Sequence, residues 1–225
     1  ELIPSGFVDG ITTNPSLIAK QGKDMKEIIK NVGVIGAGQM GTGIAHVCAA
    51  SGLGINLVDV SDEILSKAEV TIDQNLARLV KRGKLTEEQK TLALNNLNVS
   101  SDVKAVVDCD LVIEAATEDE EVKKGIYNNI CPILKKDAIL ATNSSSISIT
   151  RLAAQTDRPE RFIGVHFMNP APLMELIELI NGIATEKEIY DTIHAFALRL
   201  GKTPVCSEDF PAFIVNRILL PMVNE

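Results

Sequence analysis

From Asn31 onward two hydrophobic periods alternate along the chain. Short apolar runs recur at Val32, Val34 and Ile35, at Ile55-Asn-Leu-Val58, Leu97-Asn-Val99, Leu111-Val-Ile113, Ala138-Ile-Leu-Ala141 and Phe162-Ile-Gly-Val-His166. Runs of this length bounded by polar and turn residues predict strands. Between them the apolar positions fall at helical spacing. They include Met40, Ile44, Ala45 and Val47, then Ile64, Leu65, Ala68, Ile72, Leu76, Leu79 and Val80. Thr86 is placed to cap a following helix, with Gln89 three residues on. Helices are also predicted over Glu121–Leu134 and Glu186–Leu200. Met174–Ile180 is apolar with Glu175 and Glu178 inside it, Thr203–Cys206 reads as a last edge strand, and Phe210–Arg217 starts a final helix. The alternation predicts an α/β fold with a mostly parallel sheet covered on both faces.

One stretch sharpens that picture. After the first strand, Gly36, Gly38 and Gly41 give G-x-G-x-x-G, and a helix follows. In that setting the first glycine permits a tight turn, the second lets a pyrophosphate approach the backbone, and the third allows close helix–strand packing. The helix start offers free N–H groups and a positive dipole end. The next apolar run ends in Asp59, and no Arg or Lys follows until Lys67. A carboxylate there suits the ribose 2′-hydroxyl of NAD and repels a 2′-phosphate; a helix-capping Asp would occupy the same place. The expected architecture is a doubly wound Rossmann-type domain over residues 31–212, with NAD as cofactor. Residues 213–225 would begin a helical C-terminal domain, and 1–30 read as a separate, foreign segment.

Composition narrows the partners. The 225 residues carry a net charge of −8 with 45% hydrophobic residues, which argues against a general nucleic-acid binder and against an anionic membrane surface. No apolar run is long enough to span a membrane. The four cysteines are widely spaced, as expected of thiols in a reducing compartment, and a cytoplasmic location follows. No His/Cys cluster has metal-ligand spacing. The first residues show no secretory signal and no initiator Met.

Candidate chemistry gathers in three polar stretches beyond predicted strands: Asn143-Ser-Ser-Ser146, His166-Phe-Met-Asn-Pro170 and the region of Glu178. In open parallel sheets ligands bind beyond the strands' carboxyl ends, so these stretches are expected to converge on the cofactor. His166 is the best general base, Glu178 a carboxylate able to orient it, and Ser145 a donor to a substrate oxygen. Spacing alone also fits a hydrogen-bonded core histidine at 166 and a half-exposed strand carboxylate at 178.

The motifs Gly33–Gly41, Asp110-Leu-Val-Ile-Glu-Ala-Ala116, Ala141–Ser146, Gly164–Pro172 and Phe213-Ile-Val-Asn-Arg217 occur in order over Asn31–Glu225. Together they resemble the L-3-hydroxyacyl-CoA dehydrogenases, and most of all the bacterial-type branch acting on 3-hydroxybutyryl-CoA. The resemblance implies NAD-dependent interconversion of an L-3-hydroxyacyl-CoA and its 3-ketoacyl-CoA. It implies His166 as catalytic base, Glu178 as its partner, and Ser145 and Asn216 on substrate oxygens. Cofactor contacts would fall on Gly36, Gly38, Gln39, Met40, Gly41, Asp59, Glu118, Lys123 and Asn143. Lys81 and Arg82 would face the CoA phosphates. The family's usual residues differ at Ser144, Met168 and Ala212, where Thr, Phe and Gly are common. The family is homodimeric through helices that follow, so this chain is expected to hold the cofactor domain and catalytic pair but little of the dimer interface. A sugar-acid dehydrogenase and an NAD-binding module without turnover are the alternative readings.

Residues 1–30 differ. Gly10-Ile-Thr-Thr-Asn-Pro-Ser16 resembles the start of the transaldolase family, which would place a sugar contact at Asn14. No barrel pattern and no Schiff-base Lys in context follow, so no aldol chemistry is expected from this segment.

Overall fold

The structure, a computed structural model, describes residues 29–224. The transaldolase-like stretch, with Asn14, lies outside the described residues. In chain order the elements are β1 (Asn31–Ile35), α1 (Gln39–Ala50), β2 (Gly54–Val58), α2 (Asp62–Lys81), α3 (Glu87–Asn95), β3 (Leu97–Ser100), β4 (Leu111–Glu114), α4 (Glu120–Ile130), β5 (Ile139–Thr142), α5 (Ile149–Ala153), β6 (Phe162–Phe167), β7 (Leu176–Asn181), α6 (Lys187–Arg199), β8 (Thr203–Glu208) and α7 (Val215–Asn224).

The eight strands form one sheet in the order β3-β2-β1-β4-β5-β6-β7-β8. β1 to β6 pair in parallel, β7 pairs antiparallel with β6, and β8 pairs parallel with β7. The order reverses between β1 and β4, which is the switch point where such sheets open a crevice. The Rossmann-type reading therefore holds.

Alternation along the strands builds two cores. Val32 and Val34 of β1 join Ile44 of α1, Leu76 of α2 and Phe196 of α6 on one face. Ile35 of the same strand joins Val112, Leu140 and the α4 residues Tyr127 and Ile130 on the other. Thr86 caps α3 with a reciprocal capping box, its hydroxyl accepting from Gln89 N–H and Gln89 returning to the Thr86 N–H.

The structure corrects the sequence reading in four places. Glu178 does not lie beyond a strand; it stands inside β7, which runs antiparallel to β6. α4 ends at Ile130 rather than Leu134, because Pro132 has no N–H to continue the helix. The short α5 had no counterpart in the periodicity; five residues are too few to show one. The last helix begins only at Val215, after a tight turn in which Ala212 and Phe213 take φ of 68° and 50°. Ala212 thus holds a left-handed conformation that glycine adopts at lower cost.

Candidate active site

A cleft of about 850 Å³ opens beyond the carboxyl ends of the parallel strands. Its floor is the glycine turn. Gly36 has φ of 98°, and a Cβ on Gly41 would stand 1.7 Å from the Gly36 carbonyl oxygen, so close packing of α1 on β1 requires glycine there. A Cβ on Gly38 would meet no protein atom within 4 Å. Gly38 is also the N-cap of α1 and makes no side-chain cap, leaving the helix's first N–H groups free. The result is an open cradle at a helix N-terminus, which fits a pyrophosphate. Gly38, Gln39 and Met40 line it, while Gly41 sits buried beneath.

Asp59 follows β2 and lines the same cleft. Its Oδ2 accepts from the Ala37 N–H at 2.8 Å and its Oδ1 from the Ser61 N–H at 3.0 Å. The carboxylate is thereby fixed against the glycine turn, where a ribose 2′-hydroxyl would reach it. NADH is expected to bind more tightly than NADPH, and Asp59→Ala to narrow the gap. Fluorescence titration with both cofactors measures this, and equal affinities for the parent protein would refute the role given to Asp59.

His166 on β6 and Glu178 on β7 are direct partners in the antiparallel register. Side chains of such a pair stand on the same face. His166 Nδ1 lies 2.7 Å from Glu178 Oε2. Glu178 is fully buried, and its other oxygen accepts from the N–H groups of Ile214 and Val215, both at 2.9 Å. Burial works to raise the Glu178 pKa, but the hydrogen bonds from His166 and from these two amides outweigh it and hold the carboxyl below its usual range. An ionised carboxylate only accepts, so Nδ1 carries the proton that Glu178 accepts, and Nε2 is the nitrogen left for a substrate. The Phe213 ring packs against His166 with centroids 6.0 Å apart.

The serine loop after β5 forms the third wall. Glu118 Oε1 accepts from Ser144 Oγ at 2.7 Å, from the Ser145 N–H at 2.8 Å, and from the Ser146 N–H and Oγ at 2.9 Å each. Burial opposes ionisation of Glu118, but these bonds and the Lys123 charge prevail and lower its pKa. Asn143 Oδ1 accepts from the Phe167 N–H at 2.9 Å, tying β6 to the loop. Asn216 Nδ2 on α7 donates to the Ser145 carbonyl at 3.1 Å.

The structure thus brings His166, Ser145, Asn216, Glu118, Asn143 and Asp59 to the lining of one cleft, with Glu178 buried behind His166. It does not bring Lys123 into it. That side chain is 1% exposed, absent from the cleft lining, and paired with Glu114 and Glu118. The reason is that α4 turns Lys123 inward beneath the loop. Lys81 and Arg82 are exposed where α2 ends and do not line the cleft either. The sequence reading missed Glu114, the Asp209 cap on Ser148, Ile149 and Thr150, and Lys202, whose ammonium donates to the Ala171 and Met174 carbonyls. Only Glu114 left a trace: a carboxylate closing an apolar strand, with a lysine nine residues on.

Residues 31–210 match the family described as 3-hydroxyacyl-CoA dehydrogenase, NAD binding domain. The chain belongs to the 3-hydroxyacyl-CoA dehydrogenase family. NAD is accordingly the cofactor of this dehydrogenase, and the open cradle and Asp59 fit it. Its relatives include a 3-hydroxybutyryl-CoA dehydrogenase of Bradyrhizobium diazoefficiens, 58% identical over 201 residues, covering 89% of this chain and 69% of the relative. A 3-hydroxyadipyl-CoA dehydrogenase of Escherichia coli is 43% identical over 197 residues, covering 88% of this chain and 42% of the relative. Among solved structures, an (S)-3-hydroxybutyryl-CoA dehydrogenase of Ralstonia eutropha superposes with a TM-score of 0.84 at 46% identity, covering 87% of this chain and 69% of that one. Among the described residues no helix is long and apolar enough to cross a membrane, and no group of His, Cys, Asp or Glu is placed to hold a metal.

Proposed function

We propose that this dehydrogenase interconverts (S)-3-hydroxybutyryl-CoA and acetoacetyl-CoA, with His166, Glu178, Ser145 and Asn216 as its catalytic set. The observation that carries the reading is the His166–Glu178 pair, 2.7 Å apart, with His166 lining the cleft that also holds the glycine cradle and Asp59. His166 Nε2 takes the proton of the 3-hydroxyl in oxidation and returns it in reduction. Glu178 fixes the tautomer and stabilises the imidazolium that forms. Ser145 and Asn216 hold the substrate oxygens. Bound NAD supplies the hydride chemistry at C3. The four-carbon substrate is supported by the names of the Bradyrhizobium and Ralstonia relatives.

Lys81 and Arg82 are proposed as contacts for the CoA phosphates; their exposure suits a substrate far longer than its reacting end. Residues 31–212 are read as the cofactor-binding domain, supported by a sheet that runs from Asn31 to Glu208. α7 is read as the start of the helical part. It buries none of its residues, and Ile218, Leu219, Met222 and Val223 are exposed on it, which suits a surface covered by further helices or by a second copy.

The test is the absorbance of NADH in the presence of acetoacetyl-CoA. Loss of the band that depends on acetoacetyl-CoA is the expected result. A protein that binds NADH yet leaves the band unchanged with this substrate overturns the proposal.

A further inference from the structure

Glu114 closes β4 and is fully buried, outside the cleft. Its Oε1 accepts from the Ala116 N–H at 2.7 Å and from Lys123 Nζ at 2.8 Å. Its Oε2 accepts from Thr142 Oγ1 at 2.7 Å, from Lys123 Nζ at 2.9 Å and from Tyr127 OH at 3.0 Å. The carboxylate's capacity is used up inside the protein, so it has none left for a ligand. A buried ion pair is a poor source of net stability, because desolvation offsets the attraction. Its place under the site asks for another role.

The Lys123 ammonium that binds Glu114 also lies 3.7 Å from Glu118 Oε2. The other oxygen of Glu118 gathers the donors of Ser144, Ser145 and Ser146. The Ser145 carbonyl in turn accepts from Asn216 on α7. A continuous polar path therefore runs from the sheet core to both groups assigned to the substrate oxygens. We infer that Glu114 is a positioning residue for Ser145 and Asn216, acting through Lys123 and Glu118. The inference rests on the proposed roles of Ser145 and Asn216, and it adds the buried pair that fixes where they stand.

The physics is a division of one cation between two carboxylates. Glu114 takes the nearer share and locks the ammonium in place. Glu118 feels the remainder at 3.7 Å and keeps its Oε1 turned to the serine loop. Without Glu114, Lys123 would draw Glu118 inward and away from the loop. Without either partner, Glu118 would lose the charge that holds its Oε2.

The experiment is amide hydrogen exchange followed by NMR on Glu114→Gln/Lys123→Met, free of substrate. Removing both charges leaves no stranded buried ion, so the fold is spared the main penalty. Ser145 and Ser146 are the reporters, and Val112 and Ile113 of β4 are the internal standard for global stability. The expected result is exchange about tenfold faster at the two serines, with the β4 amides unchanged, as for loss of one hydrogen bond to a charged acceptor. Unchanged serines, or serines and β4 accelerating together, overturn the inference, because the pair would then serve the fold alone. Glu114→Asp, which keeps the charge and shortens the arm, carries the same reading if the double variant does not fold. Failure of the dehydrogenase proposal would instead appear as absent turnover in the parent protein and would leave the exchange result standing.

Discussion

His166→Gln is expected to lower kcat for acetoacetyl-CoA reduction by about 10²–10⁴-fold while leaving NADH affinity within about twofold. The argument rests on what the side chain touches. His166 lines the cleft on β6, hydrogen-bonds neither the glycine turn nor Asp59, and has its Nδ1 committed to Glu178 at 2.7 Å. Only Nε2 is left for chemistry, so its loss removes proton transfer and little else. Glutamine keeps a polar side chain against Phe213 and Glu178 but cannot carry an imidazolium. Glu178→Gln should also lower kcat, since a neutral amide cannot hold the charged ring or fix its tautomer. Its single amide oxygen cannot accept both from His166 and from the Ile214 and Val215 N–H groups, so it should cost some stability where His166→Gln does not. The double variant should be little worse than the poorer single one, because residues acting as a unit do not add. Steady-state kinetics with NADH fluorescence titration on all three variants checks this. Near-normal kcat in His166→Gln would show that the base lies elsewhere.

The second large effect is expected at the glycines, and there the two positions should separate. Gly41→Ala should lower stability by about 1–3 kcal/mol and abolish measurable NADH binding. Its Cβ would stand 1.7 Å from the Gly36 carbonyl oxygen, and the obstructing atom is backbone, which cannot swing aside. α1 would have to lift from β1, carrying the cradle with it. Melting temperature should fall by about 2–12 °C for a chain of this size. Gly38→Ala should leave stability nearly unchanged, because its Cβ meets no protein atom within 4 Å. It should still weaken NADH binding by about tenfold or more, since the methyl group occupies space left for the pyrophosphate. Thermal melts with cofactor titration distinguish the two. Equal effects on stability at both positions would contradict this account of the turn.

The fold was legible wherever local pattern suffices. Short apolar runs separated by helical spacing specify a covered parallel sheet, and a glycine-rich turn between strand and helix specifies its crevice. Asp59, the serine loop and His166 could be named from the chain because each stands at or just beyond the end of a parallel strand, and parallel strands share one carboxyl end. Thr86 and Gln89 announced their helix start through a contact confined to four residues.

What depended on partners distant in sequence was not legible. A strand alternates with period two whichever way it runs, so nothing in Leu176–Asn181 says that β7 turns antiparallel. That reversal alone sets Glu178 across from His166 in the middle of a strand instead of at a loop. The resemblance puts Lys123 on the cofactor, yet the helix faces it inward, where Glu114 and Glu118 compensate its charge. The same holds for Glu114: from sequence it is a carboxylate at a strand end, and only packing decides that Thr142, Tyr127 and Lys123 close around it. The chain by itself determined the scaffold, the glycine cradle and which side chains are candidates for the chemistry. Tertiary structure decided which carboxylate holds which partner, because burial and strand direction are set by contacts between residues far apart in the chain.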